Sequence, residues 1–267
     1  METAAEDVMK NKGTALTDAG VLVAGAASGL GAATARTLHA QGGHVVVADV
    51  DTDGAATVAR ELGSRAEPLL CDIADAAQVR AAVKAATRAP NGLRAAVVCA
   101  GIGVVQGLID EQGEAHDLEL FEKVLRVNLT GTFNILRLAA SAMRRNDPDA
   151  DGGRGVIVLT GSLSGLEGAA GETAYAAAKG GVHALTLPAA RDLAGIGVRV
   201  VTVAPGSFDT AMMAGMSEEL VASYAESIPF PKRFGHAREF ASLVEQIVIN
   251  PMLNGSVVRI DGAVRHH

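Results

Sequence analysis

Only two cysteines occur in the 267 residues, Cys71 and Cys99, each inside an apolar stretch. Two isolated thiols build no disulfide framework, and no Cys-x-x-Cys pair or Cys/His cluster has metal-ligand spacing. They read as reduced, buried small residues, which places the protein in the cytoplasm. No apolar run is long enough to span a bilayer, and the first twenty residues carry no stretch of the secretory-leader type. Pro- and Ser-rich linkers and internal repeats are missing as well. One domain over 1–267 is therefore expected, with 1–18 a poorly ordered extension. Basic clusters are also lacking: 23 Lys and Arg are scattered among 30 Asp and Glu, for a net charge of −7. That excludes nucleic acid and anionic membrane as principal partners and leaves a small-molecule substrate.

What is present is core-forming material. With 49% hydrophobic and 20% charged residues, the chain can bury a sizeable interior and is not disordered. Short β-branched runs over 21–25, 44–49, 67–71, 94–99, 156–159, 199–203 and 257–260 alternate with Ala-rich stretches over 29–41, 55–62, 76–88, 118–145, 173–193 and 239–249. Continuously apolar strands separated by helix-length crossovers predict an α/β fold, a doubly wound, Rossmann-type, parallel seven-stranded sheet with helices on both faces. Three stretches are irregular: 101–117, 146–154 and 208–235. Long irregular segments in compact domains are commonly functional, and 207–235 is expected to be a substrate lid.

Gly25, Gly29 and Gly31 stand at the first strand-to-helix turn, in GxxxGxG spacing. Glycine there permits a tight turn and close approach to a pyrophosphate, and the following helix offers free N–H groups and its positive end. Asp49 closes the second strand, eighteen residues after Gly31, where a carboxylate can accept from ribose hydroxyls. Asp51 and Asp53 follow without a nearby Lys or Arg, so a 2′-phosphate would meet like charge. The expected cofactor is NAD.

Tyr175-Ala-Ala-Ala-Lys179 sets a phenol and an ammonium four residues apart on one helix face. A free phenol titrates near 10; a neighbouring ammonium in a water-poor cleft would stabilise phenolate. The spacing alone is common, and a surface Tyr with a solvated Lys is the ordinary alternative. Ser162 lies just past the fifth strand, at the end where open α/β sheets bind ligands, and its hydroxyl can orient a substrate oxygen. It is otherwise a turn residue. Asn128 is a poor helix former inside an apolar helix.

Together with Cys99-Ala100-Gly101 and Pro205-Gly206, these motifs resemble the short-chain dehydrogenase/reductase family in order and spacing, from about Val21 to the C-terminus; Tyr175 follows Ser162 by thirteen positions. The resemblance implies that Tyr175 is the general acid/base, that Lys179 lowers its pKa and holds the nicotinamide ribose, that Ser162 polarises the substrate oxygen and that Asn128 anchors a water-linked proton relay. It further implies an NAD site lined by Ser28, Leu30, Asp49, Asp72, Ile73, Cys99, Phe208 and Thr210 besides the glycines. Ala24 and Cys99 depart from the family's frequent Thr and Asn.

Within the family, Cys-Ala-Gly-Ile-Gly, Val-Asn-Leu-Thr-Gly-Thr-Phe-Asn and Asn-Gly-Ser-Val-Val-Arg-Ile-Asp-Gly-Ala resemble the type II 3-hydroxyacyl-CoA dehydrogenases, as does the excursion over 101–117. This implies NAD-linked oxidation of a 3-hydroxyacyl-CoA in fatty-acid or branched-chain amino-acid breakdown, and a homotetramer. Ala169 and Glu172 stand where that group carries amides. Met212, Met213 and Met216 offer adaptable apolar surface for a lid, and Lys232 and Arg233 are either CoA-phosphate contacts or a solvated basic pair. A steroid or other hydrophobic-alcohol dehydrogenase, an oxoacyl-carrier reductase, and a dinucleotide sensor without chemistry are the alternatives.

Overall fold

A computed structural model describes residues 16–209 and 218–265. Seven parallel strands form one sheet: β1 (Gly20–Ala24), β2 (His44–Asp49), β3 (Ala66–Leu70), β4 (Leu93–Val98), β5 (Gly155–Thr160), β6 (Val198–Pro205) and β7 (Val257–Ile260). Their spatial order is β3-β2-β1-β4-β5-β6-β7. Strand identities agree with the sequence pattern, and ends differ by one or two residues.

The side-chain alternation of the strands divides the interior in two. Leu22, Val98, Ile157 and Leu159 face helices α3 (Ala76–Ala86), α5 (Thr132–Met143) and α6 (Thr173–Ala194). Val21, Val23, Val97 and Val158 face α1 (Gly29–Ala40), α2 (Thr52–Leu62) and α8 (Ala237–Ile249). The strands read as unbroken apolar runs because both faces are covered. Each fully buried Val or Leu contributes about 1.5–3 kcal/mol, so the sheet is a rigid base for the loops at its carboxyl edge.

Three features differ from expectation. Leu16, assigned to the loose extension, is buried among Ala19, Leu38 and their neighbours, so the packed chain includes at least residues 16–18. The single helix expected over 118–145 is instead α4 (Leu118–Leu125), a π-helical turn (Arg126–Gly131) and α5. Buried Asn128 sits in that turn with its amide bonded outside the helix, to the backbone of Ile102, and π turns of this kind recur at functional sites. Finally, the stretch 208–235, read as irregular, carries α7 (Glu218–Ser227). Its two ends are pinned together, Asp209 N–H to the Gly235 carbonyl at 3.0 Å and Gly235 N–H to the Ser207 carbonyl at 2.9 Å.

Candidate active site

The strand order reverses between β1 and β4, and at the carboxyl ends of such a pair open α/β sheets bind ligands. There Gly25 has φ +80°, and a Cβ on it would lie 2.3 Å from the Ala100 nitrogen. Glycine is required for both reasons. At Gly31 a Cβ would fall 1.9 Å from the Gly25 carbonyl oxygen, so α1 closes directly on the turn. Ser28 is the N-cap of α1, but its hydroxyl caps nothing, and the first helical turn holds no acidic residue. The N–H groups and the positive helix end are left for an anion.

Asp49 ends β2 with both carboxylate oxygens engaged. Oδ2 accepts from the Ala27 N–H at 2.9 Å and Oδ1 from the Asp51 N–H at 3.0 Å. Asp51 in turn caps α2 through the Gly54 N–H at 3.0 Å. Negative charge is thereby fixed beside the glycine turn, with lone pairs remaining for a ribose hydroxyl. Asp72 shapes the loop after β3, accepting from the Ala74 N–H at 2.8 Å.

The reacting groups meet at the end of β5. The Lys179 ammonium lies 5.7 Å from the centre of the Tyr175 ring, is buried, and donates to the Thr160 carbonyl at 2.9 Å. Desolvation brings its pKa down to about 8, with a weaker opposing pull from Cys99. Desolvation pushes Tyr175 the other way, above its ordinary 10; a hydrogen bond with Ser162 opposes this and the Glu172 charge adds to it. A lysine-lowered phenol was expected from the sequence. The chain's own groups do not produce one, because lost hydration of phenolate outweighs the Ser162 hydrogen bond. Ser162 is buried, starts the 3-10 turn Leu163–Gly165, and its Oγ accepts from the Ser164 N–H at 3.1 Å.

Asn128 reaches the same place with a different commitment. Its Oδ1 accepts from the Ile102 N–H and its Nδ2 donates to the Ile102 carbonyl, each at 2.8 Å, while its own carbonyl accepts from Thr132 Oγ1 at 2.7 Å. A Cβ on Gly101 would be 2.9 Å from Asn128 Oδ1 and 3.5 Å from Lys179 Nζ. The amide clamps the chain after β4 onto the π turn beside Lys179.

Other expected contacts fare unevenly. Leu30, Cys99, Ala100, Pro205 and Gly206 all lie at the carboxyl edge of the sheet, around the strand ends. The Ile73 side chain packs against Gly131, and its carbonyl accepts from Asn134 Nδ2 at 3.0 Å. Phe208 was expected to line the dinucleotide site; its ring is buried against Phe240 and Gly235, so only its backbone is left to do so. Thr210, Met212, Met213 and Met216 lie outside the described residues. Lys232 pairs with Glu226 at 2.9 Å, and Arg233 binds both oxygens of Glu239, lowering that carboxyl to about 2. Both cations are thus satisfied within the chain, as an ordinary basic pair would be. His183 was missed in the sequence, although it lies four residues beyond Lys179 on the same helix face.

Residues 101–117 and the loop before Tyr175 touch: the Gln106 N–H donates to the Gly171 carbonyl at 2.8 Å. In that loop the Ala169 N–H donates to Glu172 Oε2 at 3.2 Å, and Glu167 binds Arg259 at 2.7 Å. Among the described residues no cluster of side chains is placed to hold a metal, and no helix is long and apolar enough to cross a membrane.

A glycine cradle at the switch point of a parallel sheet, with Ser162, Tyr175 and Lys179 gathered at the end of β5, marks an oxidoreductase that works with a nicotinamide dinucleotide. The chain belongs to the short chain dehydrogenase family, whose model matches residues 19–220. It is 44% identical over 245 residues to human 3-hydroxyacyl-CoA dehydrogenase type-2, covering 91% of this chain and 94% of that one. The Drosophila melanogaster protein of the same name is also 44% identical, with 91% and 96% covered. The crystal structure of 3-hydroxyacyl-CoA dehydrogenase type-2 from Mycobacterium avium superposes with a TM-score of 0.91 at 44% identity, over 94% of this chain and 97% of that chain.

Proposed function

We propose that this protein oxidises a 3-hydroxyacyl-CoA to the 3-oxoacyl-CoA with NAD as acceptor. The observation that carries the substrate class is its 44% identity, over nearly the whole length, to enzymes named for that reaction. The exposed apolar side chains of Val105, Leu108 and Ile109, beside the loop that leads into Tyr175, support an acyl chain as the group recognised. Preference for NAD over its phosphorylated form is supported by Asp49, Asp51 and Asp53, which present only negative charge where a 2′-phosphate would come.

The residues fit the dinucleotide: Gly25 and Gly31 leave room that a Cβ would fill, Ser28 and the α1 N-terminus suit the pyrophosphate, and Asp49 suits the ribose. When bound, NAD would supply the hydride acceptor and positive charge in the site. Ser162 Oγ orients the substrate oxygen and Tyr175 takes its proton. Lys179, held by the Thr160 carbonyl, keeps an ammonium within reach of the phenolate, so the proton leaves a group whose burial otherwise keeps it neutral. Asn128 holds the Ile102 backbone that walls this space.

Exposed Phe133 on α5 and Leu187 on α6 support assembly into a homotetramer, and two free thiols support a reducing, cytoplasmic setting. Light scattering would measure the assembly. The substrate is tested by NADH formation with short, branched and long 3-hydroxyacyl-CoAs against steroid alcohols and carrier-bound hydroxyacyl groups. The acyl-CoAs should have the highest kcat/KM; a preference of about tenfold or more for another class overturns the assignment.

A further inference from the structure

The imidazole of His183 sits between Gly161 and Gly165, the two glycines that bracket Ser162. A Cβ on Gly161 would fall 2.1 Å from its Nε2, and one on Gly165 2.8 Å from its Cε1. Neither glycine has a positive φ, so it is their lack of a side chain that the ring uses. His183 Nε2 then accepts a hydrogen bond from the Ser162 N–H at 3.3 Å.

An imidazole nitrogen accepts only while it carries no proton, so the neutral ring must bear its hydrogen on Nδ1. That nitrogen is buried without a hydrogen-bond partner. The hydrogen bond the ring accepts comes from the backbone of Ser162, and the Gly165 backbone lies close enough to act on its charge. The serine hydroxyl is held separately, by the Ser164 N–H at 3.1 Å. With the backbone and the hydroxyl oxygen both held, fewer directions are left to the hydroxyl hydrogen, which favours polarising a substrate oxygen.

We propose that His183 is a positioning residue that acts through Ser162: as a neutral acceptor on the Ser162 N–H, it aims the hydroxyl at the substrate oxygen. Protonation turns Nε2 into a donor that faces another donor, and the anchor is lost. The groups around the ring set when this happens. Burial and the Lys179 ammonium on α6 both disfavour the charged ring and hold its pKa below 6.5, the Gly165 backbone opposes them, and Thr202 on β6 closes the far side of Gly161. The acceptor is thus present at neutral pH and lost on acidification.

This rests on Ser162 orienting the substrate oxygen and is indifferent to which alcohol is oxidised. The test is kcat and KM for reduction, with NADH, of the ketone from whichever substrate class is turned over best (acetoacetyl-CoA on the acyl-CoA reading), from about pH 5 to 8, because in that direction Tyr175 begins protonated and its own ionisation does not mask an acid limb. His183→Phe fills the space without an acceptor and should lower kcat about tenfold, with KM for the dinucleotide unchanged. His183→Gln returns an acceptor of similar reach; it should recover kcat to within about threefold and lose the acid limb that the parent shows below about pH 6.5. In a Ser162→Ala background, His183→Phe should change kcat less than about twofold.

Parental kcat in His183→Phe, or an equal further loss on top of Ser162→Ala, would overturn the proposal. So would an unchanged acid limb in His183→Gln, which decides the matter even where His183→Phe does not fold. Parental turnover in Ser162→Ala alone would instead overturn the serine's assignment, and the role of His183 with it.

Discussion

The Lys179 ammonium lies 5.7 Å from the centre of the Tyr175 ring, yet that phenol is held above its ordinary pKa rather than below it. Both groups are taken out of water by the same packing of α6 against the end of β5. Burial disfavours phenolate on one and ammonium on the other, so the phenol's pKa moves up, the lysine's moves down, and the two move apart. The chain alone keeps Tyr175 protonated, and the positive charge of an oxidised nicotinamide would favour its ionisation under the proposed function.

Tyr175→Phe removes the proton acceptor and leaves the glycine cradle untouched. NADH formation should fall by about 10²–10⁴-fold while dinucleotide affinity, followed by fluorescence titration, stays near the parent's. Retained turnover would show that another group takes the proton.

Glu172 adds to the upward pressure on Tyr175. A negative charge nearby favours the neutral phenol, so Glu172→Gln should let phenolate form at lower pH. The acid limb of oxidative kcat should then move toward acid, measured across the pH profile with the alkaline side unaltered. Movement toward alkali would contradict the charge effect.

Stability should pass through a maximum near pH 9. Lys179 titrates at about 8 in the folded chain against 10.5 when unfolded, because of desolvation, so above pH 8 the unfolded state binds the extra proton and stability rises. Cys71 and Cys99 act in reverse above their ordinary 9.0, burial holding them at about 12 and about 11, so the native state binds the extra protons and stability falls. Urea midpoints should climb from pH 8 to 9 and drop beyond. Lys179→Met should abolish the climb and keep the drop; a parent that weakens steadily from pH 8 would refute the burial of Lys179.

Asp49→Ala takes away the acceptor for the Ala27 N–H and one charge near the ribose. The ratio of kcat/KM for NAD over NADP should narrow by about tenfold, chiefly through loss with NAD. Asp51 and Asp53 remain, so NADP should not become the better cofactor. An unchanged ratio would place the discrimination elsewhere.

Asn128→Ala strands the N–H and carbonyl of Ile102, each bonded to the amide at 2.8 Å. The expected loss is about 2–4 kcal/mol in denaturant unfolding, with dinucleotide binding weakened because residues 101 and 102 loosen. A loss below about 1 kcal/mol would mean water replaces the clamp.

Periodicity and spacing made the parallel sheet, the glycine turn and Asp49 legible, and the family resemblance singled out Ser162, Tyr175 and Lys179. These are local matters: β-branched runs choose strands, a positive φ demands glycine, and positions four apart share a helix face. Tertiary structure decided the rest. The π turn at Asn128 exists because a distant backbone, Ile102, offers partners for its amide. Phe208 turned into the core because Phe240 and Gly235 were there to receive it, and His183 joined the site because two glycines across the sheet edge left room for a ring. The direction of the Tyr175 shift belongs to this second kind, since desolvation depends on what the whole fold excludes from water, which no spacing of residues encodes.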